Sequence, residues 1–556
     1  MQNIIALKQD NCKDCYKCIR NCPVKAIEFH NNAAYILEKE CILCGRCYVV
    51  CPQNAKQVRS DAHRVREAIK AGKTVIASVA PSFVSGMSVD SIEDIEAALK
   101  ALGFAGAEET AIGAGFVSRA YEEILRAGRQ KIVISSCCPS INQLIQQYYP
   151  DLAHNLAQVL TPMQAHCVAI REKVPDAFTV FIGPCIAKKR EADEADSVDA
   201  CLTFDELDDW LGEQGVPLIA SGPREEEGKR ARLYPTAGGI LRTMEKIPGY
   251  ERMAIDGAEN CIAALEEMRA GRIDNVFIEM SACEGSCIAG PIIREHSARR
   301  LSGAIRVNHY AGPARFPDAP PASIGAFYPP TPLVRPMPGG AAIQAVLTKM
   351  GKDTPEKELN CGCCGYPTCR DKAVAVCRGR AQIDMCFSFL KGKAESFSDK
   401  IIANTPNAII VMDEALIVQE INGAGMRLFG LKDRLDIVNA PIVELLDPTD
   451  YLQVVHGGKA IVDKRHCIKE FGLYVEETVL YDERYHILIS IMRDVTEQET
   501  VRAQEQELRR RTIEVTDKVI DKQMRVVQEI ASLLGETTAE TRIALTKLKE
   551  AVKGDD

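Results

Sequence analysis

Hydrophobic positions fall into three regimes along the chain. Between residues 61 and 350 short β-branched runs recur, each ending in turn residues or cysteine: KTVIASVAPS at 73–82, QKIVISSC at 130–137, AFTVFIGPC at 177–185 and VFIEM at 276–280. Stretches of helical period separate them. In SIEDIEAALKALG (91–103), Ser91 with Glu93 and Asp94 marks a helix start and Gly103 a stop. Alternating strands and helices predict parallel sheets flanked by helices. Residues 311–340 are rich in proline and predict an extended linker along the surface. From about Phe397 the pattern changes. NAIIVMDEALIVQEINGAGMRLFGL (407–431) reads as strand, tight turn, strand and short helix, and VEETVLYD and RYHILISIMRDVTEQE continue a small antiparallel α+β sheet. From Glu497 onward the chain is charged and helical. Val501, Leu508 and Val515 recur every seven residues, as do Val519, Val526 and Leu533. That stripe suits a coiled coil or a helical bundle between subunits, with a solvated single helix as the plainer alternative.

Composition narrows the class. The 556 residues suffice for several domains, and the charged and apolar fractions are ordinary. A net charge of −9 argues against nucleic-acid binding, which needs a basic stripe. The opening MQNIIALKQDNC lacks the basic region and long apolar core of a secretion signal. No apolar run reaches about 18 residues, so no membrane span is expected. These features lead to the expectation of a cytoplasmic protein. There the 23 cysteines read as metal ligands in preference to disulfides.

Their spacing carries the chemistry. CKDCYKCIRNCP (Cys12, Cys15, Cys18, Cys22) and CILCGRCYVVCP (Cys41, Cys44, Cys47, Cys51) repeat C-x2-C-x2-C-x3-C-P, the bacterial ferredoxin run. In that run the fourth cysteine ligates the other cluster, giving Cys12, Cys15, Cys18 and Cys51 for one [4Fe–4S] cluster and Cys41, Cys44, Cys47 and Cys22 for the second. CGCCGYPTC (361–369) with Cys386 supplies Cys361, Cys364, Cys369 and Cys386 for a third, leaving Cys363 and Cys377 over. Zinc is the alternative at each site. Three further segments end β-branched runs in cysteine: ISSCCPS (134–140), FIGPCIAKKRE (181–191) and EMSACEGSCIAGP (279–291). Strands delivering Cys137, Cys138, Cys185, Cys283 and Cys287 at their carboxyl ends assemble one site from distant sequence. Cys137 and Cys138 are neighbours on opposite faces of a strand, so one ligates and the other is free for another task. Cys167, Cys201, Cys261 and Cys467 read as small buried hydrophobes.

These three segments resemble the signature motifs of iron-only ([FeFe]) hydrogenases, over roughly residues 1–300. The last third resembles an iron–sulfur domain followed by a PAS sensor domain, for which RDVTEQE is typical. The order is similar to that of sensory hydrogenases. The implied fold is multidomain α/β and α+β: a ferredoxin domain (1–59), an iron-hydrogenase H-cluster core (60–350), a small 4Fe–4S domain (351–395), a PAS domain (396–496) and a C-terminal helical signalling segment (497–556). The resemblance implies three [4Fe–4S] clusters and one H-cluster, whose [4Fe–4S] half Cys138, Cys185, Cys283 and Cys287 would hold. Cys287 would bridge to a diiron subsite carrying carbon monoxide and cyanide. Cys137 would be the first proton relay, Lys188 would donate to one cyanide, and Ala80, Pro81 and Ser82 would contact the other.

Departures from the family pattern favour slow turnover. Gly183 and Ser281 stand where catalytic members place methionines, with room expected for water or for a different hydrogen bond to the cluster. IAGP replaces a glycine run. Ala157 and Ala120 replace proton-relay residues, with Glu123 in place of the second glutamate. The expected function is a hydrogen and redox sensor with low hydrogenase activity. The alternatives are a working ferredoxin-linked or bifurcating hydrogenase, and an assembly-type relative lacking the diiron unit. Expected partners are hydrogen and protons, ferredoxin or another redox protein, a second copy through the PAS domain and helix, and a regulatory kinase or phosphatase. ASLLGETTAET (531–541) has no histidine to accept phosphate, and no ATP-binding domain follows. Cys467, His456 and His466 form no haem or metal set in the PAS segment, which is expected empty or dimerising.

Overall fold

Short strands and tight loops, with little regular structure between them, make up the cysteine-rich N-terminus. The structure is a computed structural model and describes residues 3–87, 89–222, 228–293, 300–534 and 538–553. Strands β1 (Ile5–Leu7), β2 (Ile27–His30), β3 (Ala33–Ile36) and β4 (Lys56–Val58) pair antiparallel, β1 with β4 and β2 with β3. The chain divides into two units, Met1–Leu390 and Lys391–Asp556.

The apolar runs of the first unit become parallel sheet. β5 (Val75–Val79), β6 (Gly106–Glu109), β7 (Ile132–Ile134), β8 (Phe178–Gly183), β9 (Ala200–Thr203), β10 (Glu251–Asp256) and β11 (Val276–Ser281) form two all-parallel sheets. Their orders are β6-β5-β8-β9 and β10-β11-β7. Every residue of β11, and all but the first of β8, is buried, as expected of strands covered on both faces. The carboxyl ends of β5 and β8 from one sheet and of β7 and β11 from the other deliver residues 80–82, 184–185, 135–138 and 282–283 to a common region. That is where an open α/β sheet places its ligand site.

Local rules set the helices between the strands. The helix Ile92–Ala101 starts at a capping box in which Ser91 and Asp94 satisfy each other's backbone N–H. Thr161 with Gln164 and Thr203 with Glu206 repeat the device. The helix Ala111–Ala127 packs on Pro162–Lys173 at Gly113, where a Cβ would lie 2.3 Å from the Pro162 carbonyl oxygen. The proline-rich stretch is extended and bonded back to the body. Thr331 N–H donates to the Gln146 carbonyl (2.9 Å), Tyr328 donates to the Val159 carbonyl (2.9 Å), and Arg335 donates to the Glu40 carboxylate and the Val24 carbonyl.

In the second unit, β12 (Ala408–Asp413), β13 (Val418–Ile421), β14 (Ile461–Ile468), β15 (Leu473–Asp482) and β16 (Ile487–Asp494) form one antiparallel sheet in the order β13-β12-β16-β15-β14. Asn422 caps the helix Gly423–Leu428, accepting from Gly425 N–H at 2.8 Å. Cys467 lies on an outward position of β14 and is exposed, contrary to the expectation that it is buried, whereas Cys167, Cys201 and Cys261 are buried. The helix Thr496–Leu534 leaves Val501, Leu508, Val515, Val519 and Val526 exposed, and the side chain of Leu533 lies outside the described residues. Among the described residues no helix is long and apolar enough to cross a membrane.

A buried ion pair closes the end of β6. Arg232 donates to both carboxylate oxygens of Glu109 (Nε to Oε2, 3.0 Å; Nη2 to Oε1, 2.5 Å), and its guanidinium lies 4.0 Å from the Tyr310 ring centroid. Removing one partner strands a buried charge, so Glu109→Ala is expected to cost about 3–5 kcal/mol. The double variant Glu109→Ala, Arg232→Met should recover most of that loss. Urea unfolding followed by the single, buried Trp210 checks both; a single variant within 1 kcal/mol, roughly the value of a surface pair, contradicts the prediction.

Candidate functional site

At the junction of the two sheets lies a cavity of about 120 Å³. Cys137, Cys138, Cys185, Cys283, Cys287 and Lys188 line it, together with Ala80, Pro81 and Ser82. All nine residues expected at this site from sequence therefore share one cavity. Cys138 occupies the N-cap position of the helix Pro139–Tyr148, with Pro139 opening the helix. Cys185 follows β8, and Cys283 and Cys287 flank a turn through Gly285 in the left-handed region, φ 86°.

The thiols repel ionisation. Burial, then the charges of Cys185, Cys138 and Cys287, raise the Cys283 thiol well above the ordinary range. Burial likewise pushes Cys185 up to about 11 and Cys137 up to about 12. Lys188 is buried, and its ammonium is held by Glu191 (2.7 Å), which in turn accepts from the Thr161 hydroxyl. Ser82 is fully buried on the cavity wall, and its hydroxyl has no hydrogen-bond partner among the described residues. Four convergent thiols, a held cation and an unpaired donor fit a metal–sulfur group carrying acceptor ligands.

The same test applies at the other cysteine groups. Cys12, Cys15, Cys18 and Cys51 line a small cavity of about 20 Å³ with Lys56 and Tyr16. Burial, then Cys41, Cys44 and Cys22, raise the Cys47 thiol, so the second foursome also converges. Backbone N–H groups of Ala26, Leu43 and Ala55 donate to the sulfurs of Cys22, Cys41 and Cys51 at 3.3–3.4 Å. Near the end of the first unit, the Cys364 thiol feels Cys386 and Cys361. Cys369, opening the helix Cys369–Cys377, packs against Ile343, Leu347 and Ala373. Among the described residues no three His, Cys, Asp or Glu side chains converge on a single metal ion.

Several details differ from the sequence reading. A Cβ at Gly183 would lie 2.6 Å from the Phe181 ring, so that ring occupies the space and leaves no room for water there. Glu123 is exposed; the neighbouring Glu122 is the buried one, accepting from Arg126 (3.2 Å) and from Glu245 N–H (2.9 Å). Ala120, Ala157 and Cys137 belong to one apolar cluster, and the Cys137 thiol is 3.2 Å from the Tyr121 hydroxyl. Glu279 was missed as a site residue because it sits inside the run VFIEM and reads as a strand position. It lines the cavity, accepts from Leu241 N–H at 3.1 Å, and is pushed up to about 7 by burial. Tyr234, also on the wall, continues into a hydroxyl chain, Tyr234 to Ser118 (2.9 Å) to Thr243 (2.7 Å).

The third cysteine group docks on the N-terminal segment. Arg20 donates to the Cys363 carbonyl (3.0 Å), Phe29 N–H to the Arg380 carbonyl (2.8 Å), and Arg380 pairs with Glu40. A Cβ on Gly365 would lie 2.8 Å from Ile19.

Residues 73–291 match the family described as iron only hydrogenase large subunit, C-terminal domain. Residues 4–52 match a 4Fe-4S dicluster domain, and 358–388 a putative Fe-S cluster. The two flanking matches make iron–sulfur clusters cofactors of this chain. Iron hydrogenase 1 of Clostridium pasteurianum is 26% identical over 306 residues, 43% of this chain and 53% of that protein. The chain thus spans about half the length of that relative. A solved [FeFe]-hydrogenase from Chlamydomonas reinhardtii aligns at 19% identity and a TM-score of 0.38 over 46% of this chain and 91% of that one. A PAS domain of an HTR-like protein from Haloarcula marismortui aligns at 22% identity and a TM-score of 0.16, over 19% and 94%.

Glu279 gives a pH signature. Folded, it keeps its proton to about pH 7; unfolded, a glutamate loses it near about 4.3. The folded state therefore binds this proton more tightly. That stabilisation is complete below the unfolded value and is lost as pH rises through 7. Relative to Glu279→Gln, the cluster-free wild type should lose up to about 3 kcal/mol between those limits. A protonated-carboxyl infrared band should disappear near pH 7 and be absent in the variant. A band unchanged from pH 5 to 9 contradicts the assignment.

Proposed function

From the match of residues 73–291 to the iron-only hydrogenase C-terminal domain, we propose that this chain is a hydrogen and redox sensor. It binds hydrogen, splits or forms it slowly, and passes the outcome through iron–sulfur clusters to a PAS-type module and a regulatory partner. One observation supports the site above all others: Cys138, Cys185, Cys283 and Cys287 line a single cavity with Cys137 and Lys188. An assembly-type relative without a diiron unit has no use for the last two.

The four cysteines would hold the cubane half of an H-cluster, with Cys287 toward its diiron part. When bound, the group supplies an open iron position at which hydrogen is cleaved heterolytically. The chain's own residues handle charge and protons around it. Burial keeps the Cys137 thiol protonated at neutral pH, so it donates and is restored, with the Tyr121 hydroxyl in reach. Lys188 is a fixed donor because Glu191 holds it in one place. Ser82 offers a hydroxyl that nothing else uses. Ala120 and Ala157, in the same apolar cluster as Cys137, can neither give nor take a proton, which favours slow turnover. The other twelve ligand cysteines would hold three [4Fe–4S] clusters, and a second copy through the C-terminal helix, a cytoplasmic setting and an external redox protein belong to the same reading.

A working hydrogenase is the second reading. Glu279 and the chain Tyr234–Ser118–Thr243 favour it, because they offer a proton route that avoids the alanines.

Infrared spectra of anaerobically matured protein decide between these. Carbon monoxide and cyanide bands that shift under hydrogen, with low turnover, are expected. Turnover comparable with ordinary hydrogenases would make the chain an enzyme first. Absence of the bands after maturation removes the H-cluster. In Cys137→Ala the bands should persist while residual turnover falls about 10²-fold or more, the scale of a lost general acid–base group.

A further inference from the structure

Two of the five buried lysines described in the first unit have carboxylate partners. Lys188 has Glu191 at 2.7 Å, and Lys189 has Glu206 at 2.8 Å. Lys372 is different. It is fully buried, one turn after Cys369 on the helix Cys369–Cys377, and its Nζ donates to the Gln382 carbonyl at 2.5 Å. The Tyr366 ring centroid lies 5.5 Å away. Among the described residues no carboxylate comes within ion-pair distance. An ammonium buried without a counter-charge is costly, and proteins rarely keep one.

The groups around it are thiols. Lys372 interacts electrostatically with Cys364 and Cys386, with Asp384 a weaker influence. Lys25 acts on Cys364 from the N-terminal segment, and Lys352 on Cys361. The same arrangement recurs once. Lys56 is buried, donates to the Ala34 carbonyl at 2.5 Å, and lines the cavity of Cys12, Cys15, Cys18 and Cys51. Two buried lysines with only carbonyl partners thus both stand beside cysteine groups.

We infer that Lys372 is the built-in counter-charge of the cluster held by Cys361, Cys364, Cys369 and Cys386, and that it fixes this cluster's potential above what neutral surroundings would give. The inference rests on the reading of those cysteines as cluster ligands. A four-thiolate [4Fe–4S] cluster is a dianion when oxidised and gains one further negative charge on reduction. A fixed ammonium favours the more negative state. The position of the cluster adds to the effect. Cys386 immediately precedes the helix Phe387–Asn404, and its carbonyl accepts from Leu390 N–H at 2.9 Å. Negative charge at a helix N-terminus is stabilised by the helix dipole. An electron placed here therefore acts on the first turn of the helix that leads to the second unit. Lys372 is a positioning and tuning residue, since it touches no substrate.

The test is a redox titration followed by electron paramagnetic resonance on full-length, anaerobically reconstituted protein. In Lys372→Met one ferredoxin-type signal should need at least a tenfold more reducing poise, 59 mV for one electron, while the others stay in place. Lys372→Arg should return the signal toward the wild-type value. An unshifted signal in Lys372→Met, or equal shifts in the Met and Arg variants, overturns the inference, the latter by pointing to packing. If Lys372→Met fails to retain its iron, Lys25→Gln replaces it. A smaller shift of the same sign supports the inference, and no shift overturns it. A wild type showing no third ferredoxin-type signal overturns the cluster reading and this inference together. A third signal indifferent to both lysines overturns this inference alone.

Discussion

Thiols gathered around one cavity resist joint ionisation, and the architecture depends on resolving that conflict. In the cavity at the sheet junction, burial and the neighbouring sulfurs push every affected thiol toward its neutral form. Thiolate is nonetheless the form that binds metal. A cationic iron–sulfur core reverses the balance, because it replaces mutual repulsion with attraction to a shared centre. The fold's contribution is to bring the sulfurs together while they are still repulsive. Two parallel sheets do this by placing four strand ends around one cavity, with well-packed strands behind each.

Those strands were legible in the sequence because burial on both faces imposes continuous apolar runs. KTVIASVAPS, QKIVISSC, AFTVFIGPC and VFIEM each contain one. Strands left largely exposed carry no such signal. Gly106–Glu109 reads GAEE and is only partly buried, and Glu251–Asp256 faces solvent along most of its length, so neither was visible beforehand. That the parallel strands divide into two sheets was equally hidden, since period and composition do not encode which strands pair. Capping residues, in contrast, act within one turn: Ser91 and Asp94 form the helix start expected of them.

At the candidate site, ligand spacing was informative and side-chain direction was not. Short cysteine runs wrap a cluster through local geometry, so their sequence separation reports their use. Glu279 and Glu122 show the opposite case. Glu279 occupies one position of a fully buried strand, where its neighbours suggest an apolar residue, and only the tertiary structure shows that it borders the cavity. That Glu122 is buried and Glu123 exposed depends on which face of the helix Ala111–Ala127 is turned inward, which the local sequence does not show. Gly183 carries the same lesson for volume. A glycine suggests free space, yet the Phe181 ring two residues earlier on the same strand fills it.

Chain order also misrepresents the relation between the cluster sites. Cys361–Cys386 follow the core in sequence but pack on the N-terminal segment, through Arg20, Gly365 and Arg380. Cys44 lines the main cavity and acts on Cys283, while Cys22 shares two neighbours, Lys25 and Tyr366, with Cys364. Cys22 and Cys44 belong to the same foursome. A cluster seated there would stand between the main cavity and the third group, and Cys12, Cys15, Cys18 and Cys51 would form a branch. Electron transfer falls steeply with distance, so with the proposed clusters in place this foursome would be the junction for electrons leaving the cavity. The third group then lies at the end of a path, beside a buried lysine and at the start of a helix. With the proposed clusters in place, that arrangement would favour retaining an electron over passing it on, as the proposed sensor role requires.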